Sequence, residues 1–231
     1  MHKTFVLINA DDFGLTTGVN SGIIESHVHG IVNSATMIMN GHAVEEAVVL
    51  ARQYPSLHVG VHLALTWGRP LAETSTPLTK EDGTFRYTNR FLTEAAPDPE
   101  LVYLEWKAQI EAFRATGLPL HHLDSHHHVH GWPAIQDVIV RLAEEYGTTF
   151  RALTTLDARR DLWVTERFSD LFYGDGVSRA TLNSIQPGDS IEVMVHPANL
   201  DPVLPSVTSY LDERLIEKEL LTSYQRPDWW A

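Results

Sequence analysis

A chain of 231 residues with 43% hydrophobic and 20% charged residues has the composition of an ordinary globular protein, long enough for one full core. The formal net charge is −13 and the 17 Lys and Arg form no basic cluster, which argues against a nucleic-acid-binding face. No stretch reaches the apolar length needed to span a membrane. Cysteine is absent, so disulfides and thiolate ligands are excluded. Any metal must be held by His, Asp or Glu, which suits zinc, magnesium or manganese. Met1-His2-Lys3-Thr4 leads straight into an apolar run without a signal-sequence pattern, so a cytoplasmic enzyme is the default expectation.

Phe5 to Ile8 reads as a buried strand. It ends in Asn9-Ala10-Asp11-Asp12-Phe13-Gly14. Two adjacent carboxylates at the C-terminal end of a buried strand are costly unless they are used; a helix cap would need only one. A helix follows over Thr17–Val28 and stops at Gly30. Ile31 to Met39 reads as a second strand and Ala43 to Tyr54 as a second helix, broken by Pro55. The third strand, His58 to Leu65, puts His58, Gly60 and His62 on one face by period-two alternation. From about residue 70 to 98 runs a polar stretch of the length of a lid, binding loop or insertion. Pro99 to Thr116 is a clear helix. Val102, Trp106, Ile110 and Phe113 make one apolar stripe; Leu101, Leu104, Ala108 and Ala112 make a second, which implies cover on both faces.

Leu118 to Leu123 forms the fourth strand and leads into the least ordinary stretch of the chain. Six of the thirteen histidines fall between His121 and His130. Continued strand alternation puts Asp124, His126 and His128 on one face, which leaves His128 open as a ligand. His126 and His130 share a face only if the segment is helical. Trp132-Pro133 opens another helix, Thr148 to Leu153 is a fifth strand with Arg151 near its end, and Thr154 to Asn183 mixes short helices with loop. Ser190 to Val195 is a late strand ending in His196-Pro197. The last helix spans roughly Ser209 to Ser223.

The strand–helix rhythm implies an α/β fold in one domain, with parallel strands covered by helices, as an open sheet or an irregular (β/α) barrel. All parallel strand ends lie on one face, so Asp11 and Asp12, His62, the His126–His130 stretch and His196 converge. Two imidazoles and a carboxylate with open positions make a hydrolytic metal site. A further Asp can take a proton from water, and a further His can protonate a leaving group.

Asn9-Ala10-Asp11-Asp12-Phe13-Gly14, Gly60-Val61-His62 with Leu65-Thr66, His122-Leu123-Asp124-Ser125-His126 and Glu192 to Ala198 occur in this order. Together they resemble the YdjC-like carbohydrate deacetylases, most of all the bacterial chitooligosaccharide deacetylases. The resemblance runs from Phe5 to about Leu221. It implies a TIM-barrel-like irregular (β/α) barrel and one divalent metal, magnesium or zinc, on Asp12, His62 and His126. It also implies Asp11 as general base and His196 as general acid. The reaction implied is hydrolysis of the N-acetyl group of N-acetylglucosamine-containing oligosaccharides such as chitobiose, in the cytoplasm; some members are homodimers. Trp67, His128, Arg151 and Tyr173 are assigned to the substrate, His130 to a supporting place around the site. Trp67, Trp132 and Tyr173 could stack on a sugar ring, with core packing the alternative for each. The family usually carries a further strand-like segment after the last helix; here Pro227 to Ala231 implies a truncated or divergent C-terminal end. Two rivals remain. A metal-dependent phosphoesterase would need a phosphate clamp, for which Arg69 and Arg151 are the candidates. A non-catalytic metal-binding protein would leave Asp11 and His196 without a task.

Overall fold

The structure, a computed structural model, describes residues 3–231. Seven strands form one wholly parallel sheet: β1 (Val6–Phe13), β2 (Ser34–Met37), β3 (His58–Leu63), β4 (His122–Ser125), β5 (Thr149–Phe150), β6 (Arg167–Ser169) and β7 (Ile191–Val195). Their order across the sheet is β5-β4-β3-β2-β1-β7-β6. The helices are α1 (Thr17–Val28), α2 (Val44–Gln53), α3 (Pro99–Ala115), α4 (Gln136–Tyr146), α5 (Arg179–Asn183), α6 (Leu204–Val207) and α7 (Asp212–Ser223).

The sheet curls into an open half-barrel, and one side chain shows the curl directly. On a flat sheet β5 and β7 would stand about 24 Å apart, five strand spacings of ~4.8 Å. Yet Arg151, one residue past β5, bonds Glu192 of β7 at 2.9 Å and Asp11 of β1 at 2.6 and 2.8 Å. No arginine can bridge the flat distance, so the strands must close around it.

Strand alternation sorts the two faces of the sheet. Val6, Ile8 and Ala10 of β1, Val59 and Val61 of β3, and Val193 and Val195 of β7 join the apolar core with the helices. The intervening residues Asn9, Asp11, Ser34, Thr36, His62, Asp124 and Glu192 are buried polar groups that hydrogen-bond one another or Arg151 inside the curl; His122, also buried there, contacts His121 instead. The interior of the half-barrel is therefore polar and the outer layer apolar.

Helix α1 meets the segment after β7 at van der Waals contact because it presents glycine there. A Cβ on Gly22 would lie 2.4 Å from Ala198 Cα, and one on Gly18 2.2 Å from the Asn199 carbonyl oxygen. Asp201 then staples the N-terminus of α1, accepting from Thr16 Oγ1 at 2.5 Å and Gly18 N at 2.7 Å. This fixes the course of the chain just beyond His196.

Several expectations change. Helix α3 buries Val102, Trp106, Ile110 and Phe113 fully; of the second stripe Leu104 is exposed, while Leu101, Ala108 and Ala112 are half-buried and Leu101 packs against the core. The second stripe is thus only partly covered. Strand β6 went unforeseen because three residues give no period. The helix after Trp132-Pro133 begins at Gln136, and a separate short α6 precedes the last helix, which starts at Asp212. The 70–98 stretch is built rather than loose. Glu105 of α3, fully buried, accepts from Leu71 N, Ala72 N and Ser75 Oγ. Gln109 brackets the Ala64 backbone, accepting at 2.8 Å from its N–H and donating at 2.9 Å to its carbonyl. After α7 the chain returns to pair Trp230 with Thr4 in a single parallel bridge. Among the described residues no helix is long and apolar enough to cross a membrane.

Candidate active site

The sheet register brings the polar strand ends together. Ala10 pairs with Val195, so Asp11 and His196 follow at one level on neighbouring strands. His62 pairs with Asp124, and their side chains bond laterally, His62 Nδ1 to Asp124 Oδ1, at 2.8 Å. Regular alternation would point Asp11 and Asp12 to opposite faces of the sheet. A bulge prevents this: between Ala10 and Phe13, β1 carries one residue more than β2. Asp12 takes φ +70° there, and both carboxylates reach the same cavity.

Asp12 Oδ1 lies 3.2 Å from His126 Nδ1 and 3.5 Å from His62 Nε2. It is buried and has no hydrogen-bond partner, which is costly for a carboxylate oxygen unless a cation completes it. One ligand atom from each of Asp12, His62 and His126 falls in a common cluster. Two imidazole nitrogens and one carboxylate oxygen fit a divalent metal. Asp124 on His62 Nδ1 stands where a carboxylate orients the ring of a histidine that holds a metal, and would fix His62 in that role. The other Asp12 oxygen is held by Arg214 Nη2 of α7 at 2.5 Å. Burial alone would raise the Asp12 carboxyl, but Arg214 and the two histidines hold it well below the usual carboxylate range.

Asp11 sits under a different cation. Burial pushes its carboxyl up, and the bidentate Arg151 guanidinium more than reverses this. Arg151 also touches Asp124 at 2.8 Å and Glu192 at 2.8 Å. The further acidic clusters around Asp11, Asp124 and Glu192 thus already enclose a cation. Arg151 is 0% exposed and does not line the cavity. It lies beneath the site, away from the place facing substrate that its position near a strand end implied.

The histidine stretch leaves the strand at Ser125, which ends the alternation that would align Asp124, His126 and His128. A tight turn follows in which His127 and His128 both take positive φ, +56° and +57°. With Asp12 they are the non-glycine residues with positive φ among those described, and all three line the same cavity. Such backbone costs about 1–2 kcal/mol per residue and gathers at functional sites. His128 packs its ring against Phe168 and comes within 3.4 Å of Arg151. His130 turns away: fully buried, it bonds Ser125 Oγ at 2.6 Å through Nδ1.

His196 lines the same cavity, with Nδ1 buried and without a partner. Burial pushes its imidazole down to about 4. Its backbone N–H donates to Glu217 of α7, whose other oxygen accepts from Tyr210 Oη at 2.7 Å. Tyr210 Oη in turn accepts from Gly174 N at 2.9 Å, and its ring stacks on Tyr173 at 4.3 Å. Trp67 and Tyr173 both line the cavity, of about 500 Å³. Trp132 does not; it packs in the core against Tyr87 and Phe91. Sequence reasoning missed Arg214, Glu217, Tyr210, Asn89 and Asp170. The first three sit on or just before a helix whose apolar spacing gave no hint of chemistry. The last two lie in loops without a motif.

A family model described as YdjC-like protein matches residues 5–231. A carbohydrate deacetylase of Oceanobacillus iheyensis is 44% identical over 226 residues, 97% of this chain and 98% of its own. One from Vibrio campbellii is 44% identical over 224 residues, covering 94% and 88%. A solved structure from Enterococcus faecalis, described as a putative cellobiose-phosphate cleavage protein, superposes with a TM-score of 0.87 at 34% identity, covering 96% of this chain and 91% of that one. A lactam utilization protein from Thermus thermophilus shares the fold at a TM-score of 0.51 and 19% identity, covering 94% and 96%.

Proposed function

The chain belongs to the YdjC-like family, and from that premise we propose that it is a metal-dependent carbohydrate deacetylase acting on N-acetylglucosamine-containing oligosaccharides such as chitobiose. The observation that carries this reading is the unpartnered Asp12 Oδ1 between His62 Nε2 and His126 Nδ1, in one cavity with Asp11 and His196. Asp12, His62 and His126 would hold the metal, magnesium or zinc. Asp11, pinned by Arg151, is a weak base and needs an acidified water, and acidifying water is the chemistry a divalent metal supplies when bound. Asp11 would take a proton from the attacking water. His196, which lines the same cavity, would deliver one to the departing amine nitrogen, giving acetate and a free amine. Neutral at rest, His196 must be loaded with that proton within the turnover.

The phosphoesterase reading loses support. Arg151 is buried and committed to three carboxylates, Arg214 is committed to Asp12, and Arg69 lies outside this cavity. The test is acetate release from diacetylchitobiose with added magnesium or zinc. Release is expected; none from any of several acetylated sugars would sink the reading. Asp11→Asn and His196→Ala should lose turnover and keep metal. His62→Ala and His126→Ala should lose the metal itself, measured by elemental analysis after gel filtration. Metal retained in both would refute this ligand set.

A further inference from the structure

The imidazoles that line the cavity are not held alike. His62, His126, His127 and His128 each have a polar partner at Nδ1 within 3.4 Å. His196 has none among the described residues, and its Nδ1 is buried. A proton donor must aim one ring nitrogen at the atom it protonates, and an imidazole with no bond on the other nitrogen is free to turn about χ2. Something other than a hydrogen bond has to aim this ring.

Packing supplies the restraint. The Tyr173 and Tyr210 rings stack at 4.3 Å with 14° between their planes. The His196 ring meets both edge-on, Tyr173 at 5.4 Å and 65° and Tyr210 at 5.9 Å and 73°. These are favourable separations for aromatic pairs, and turning the imidazole would give up both contacts.

The stack is anchored by one hydroxyl. Tyr210 Oη donates to Glu217 Oε1 at 2.7 Å and accepts from Gly174 N at 2.9 Å. The first bond ties the ring to the carboxylate that also accepts from the His196 backbone N–H. The second ties it to the residue after Tyr173, where the chain turns at φ +56°. The Tyr210 carbonyl accepts from Arg214 Nε at 3.2 Å, and Arg214 in turn holds Asp12. Tyr210 is thus bonded to the supports of His196, of Tyr173 and of Asp12 at once.

We propose that Tyr210 is a positioning residue for the acid step: with Tyr173 and Glu217 it holds the His196 imidazole in the orientation from which the proton passes to the leaving nitrogen. The assignment rests on the deacetylase reading and adds to it the part that aims the acid. It acts as the C–N bond breaks, when the nitrogen takes the proton from His196 and departs as the amine.

The test sets an amide against an ester. An amine nitrogen needs a proton to leave, whereas 4-nitrophenolate is a weak base and leaves without one. Tyr210→Phe removes the hydroxyl and keeps the ring; Tyr210→Leu removes both. On diacetylchitobiose kcat should fall about tenfold in Tyr210→Phe and about a hundredfold in Tyr210→Leu, within what a positioned acid contributes. Bound metal should stay unchanged in both, and KM in Tyr210→Phe should move less than about twofold. Hydrolysis of 4-nitrophenyl acetate should fall less than about threefold in either variant, which also certifies the fold. A fall shared equally by amide and ester, or no fall on the amide, overturns the proposal and leaves the deacetylase reading intact. If the wild type releases acetate from no acetylated sugar, that reading fails, and the ring itself decides the positioning claim, as it does where the ester is not turned over. NMR relaxation of histidine-labelled protein, with His196 assigned by its absence from His196→Ala, should show a more mobile imidazole in both variants than in the wild type. An equally ordered ring overturns the proposal.

Discussion

Two buried residues of α7 support the site from behind, and each gives a measurable expectation. Arg214 neutralises Asp12. Arg214→Met leaves that carboxylate facing the proposed metal position without its cation, a loss of about 3–5 kcal/mol for a buried pair broken on one side. A bound divalent metal restores a positive charge beside Asp12, so added metal should raise the melting temperature of the variant more than that of the wild type; equal shifts would count against the pairing. Glu217 is a buried carboxyl that desolvation pushes up to about 8 despite its bonds to His196 N–H and Tyr210. Between pH 4.5 and 8 the unfolded chain ionises this group while the folded one keeps the proton, so the folded state binds more protons and stability falls as pH rises. The fall reaches about 5 kcal/mol above pH 8. Glu217→Gln mimics the protonated form, and denaturant midpoints at about pH 5 and 8.5 should lie closer together in the variant. The primary residues of the candidate site were legible because parallel strands deliver their ends to one face. Arg151 was picked out near a strand end but its carboxylate partners were not, and Arg214 was missed altogether, since Asp11 and Asp12 lie 140 and 202 positions away and only the curl of the sheet and the docking of α7 bring them near.

At the scale of elements, the packing of α1 on the segment after β7 carries the position of His196. Gly22→Ala places a methyl group 2.4 Å from the Ala198 Cα, where backbone must give way. The expected cost is about 1–3 kcal/mol, read as a lower melting temperature, with kcat reduced because Pro197-Ala198 moves with His196. An unaltered kcat would show that the contact does not govern the site. Helices α1, α2 and α3 could be read from the chain to within a residue or so: Thr16 and Asp98 cap α1 and α3, and Pro55 stops α2. The bulge at Asp11-Asp12 could not, since one extra residue in a strand leaves no trace in periodicity. Nor could the turn at His127-His128, where imidazoles occupy backbone normally left to glycine.

Across the whole molecule, Arg151 joins β5 to β1, β4 and β7 through three carboxylates. Arg151→Met would leave those carboxylates together in a buried space, and the expected loss is about 3–5 kcal/mol or more. Urea unfolding followed by circular dichroism would measure it; a loss below about 1 kcal/mol would mean that the curl is held elsewhere. The strand order has a temporal consequence too. During synthesis β1 can pair with β2, and β3 to β5 can add in sequence along that side. The other edge of β1 must wait for β7, which pairs Val6 with Ile191 from the far end of the chain. A nascent chain released before β7 emerges therefore presents a bare apolar strand edge, open to pairing with its neighbours. The same strand delivers His196, so the long wait that exposes the chain to aggregation ends in the step that completes its chemistry.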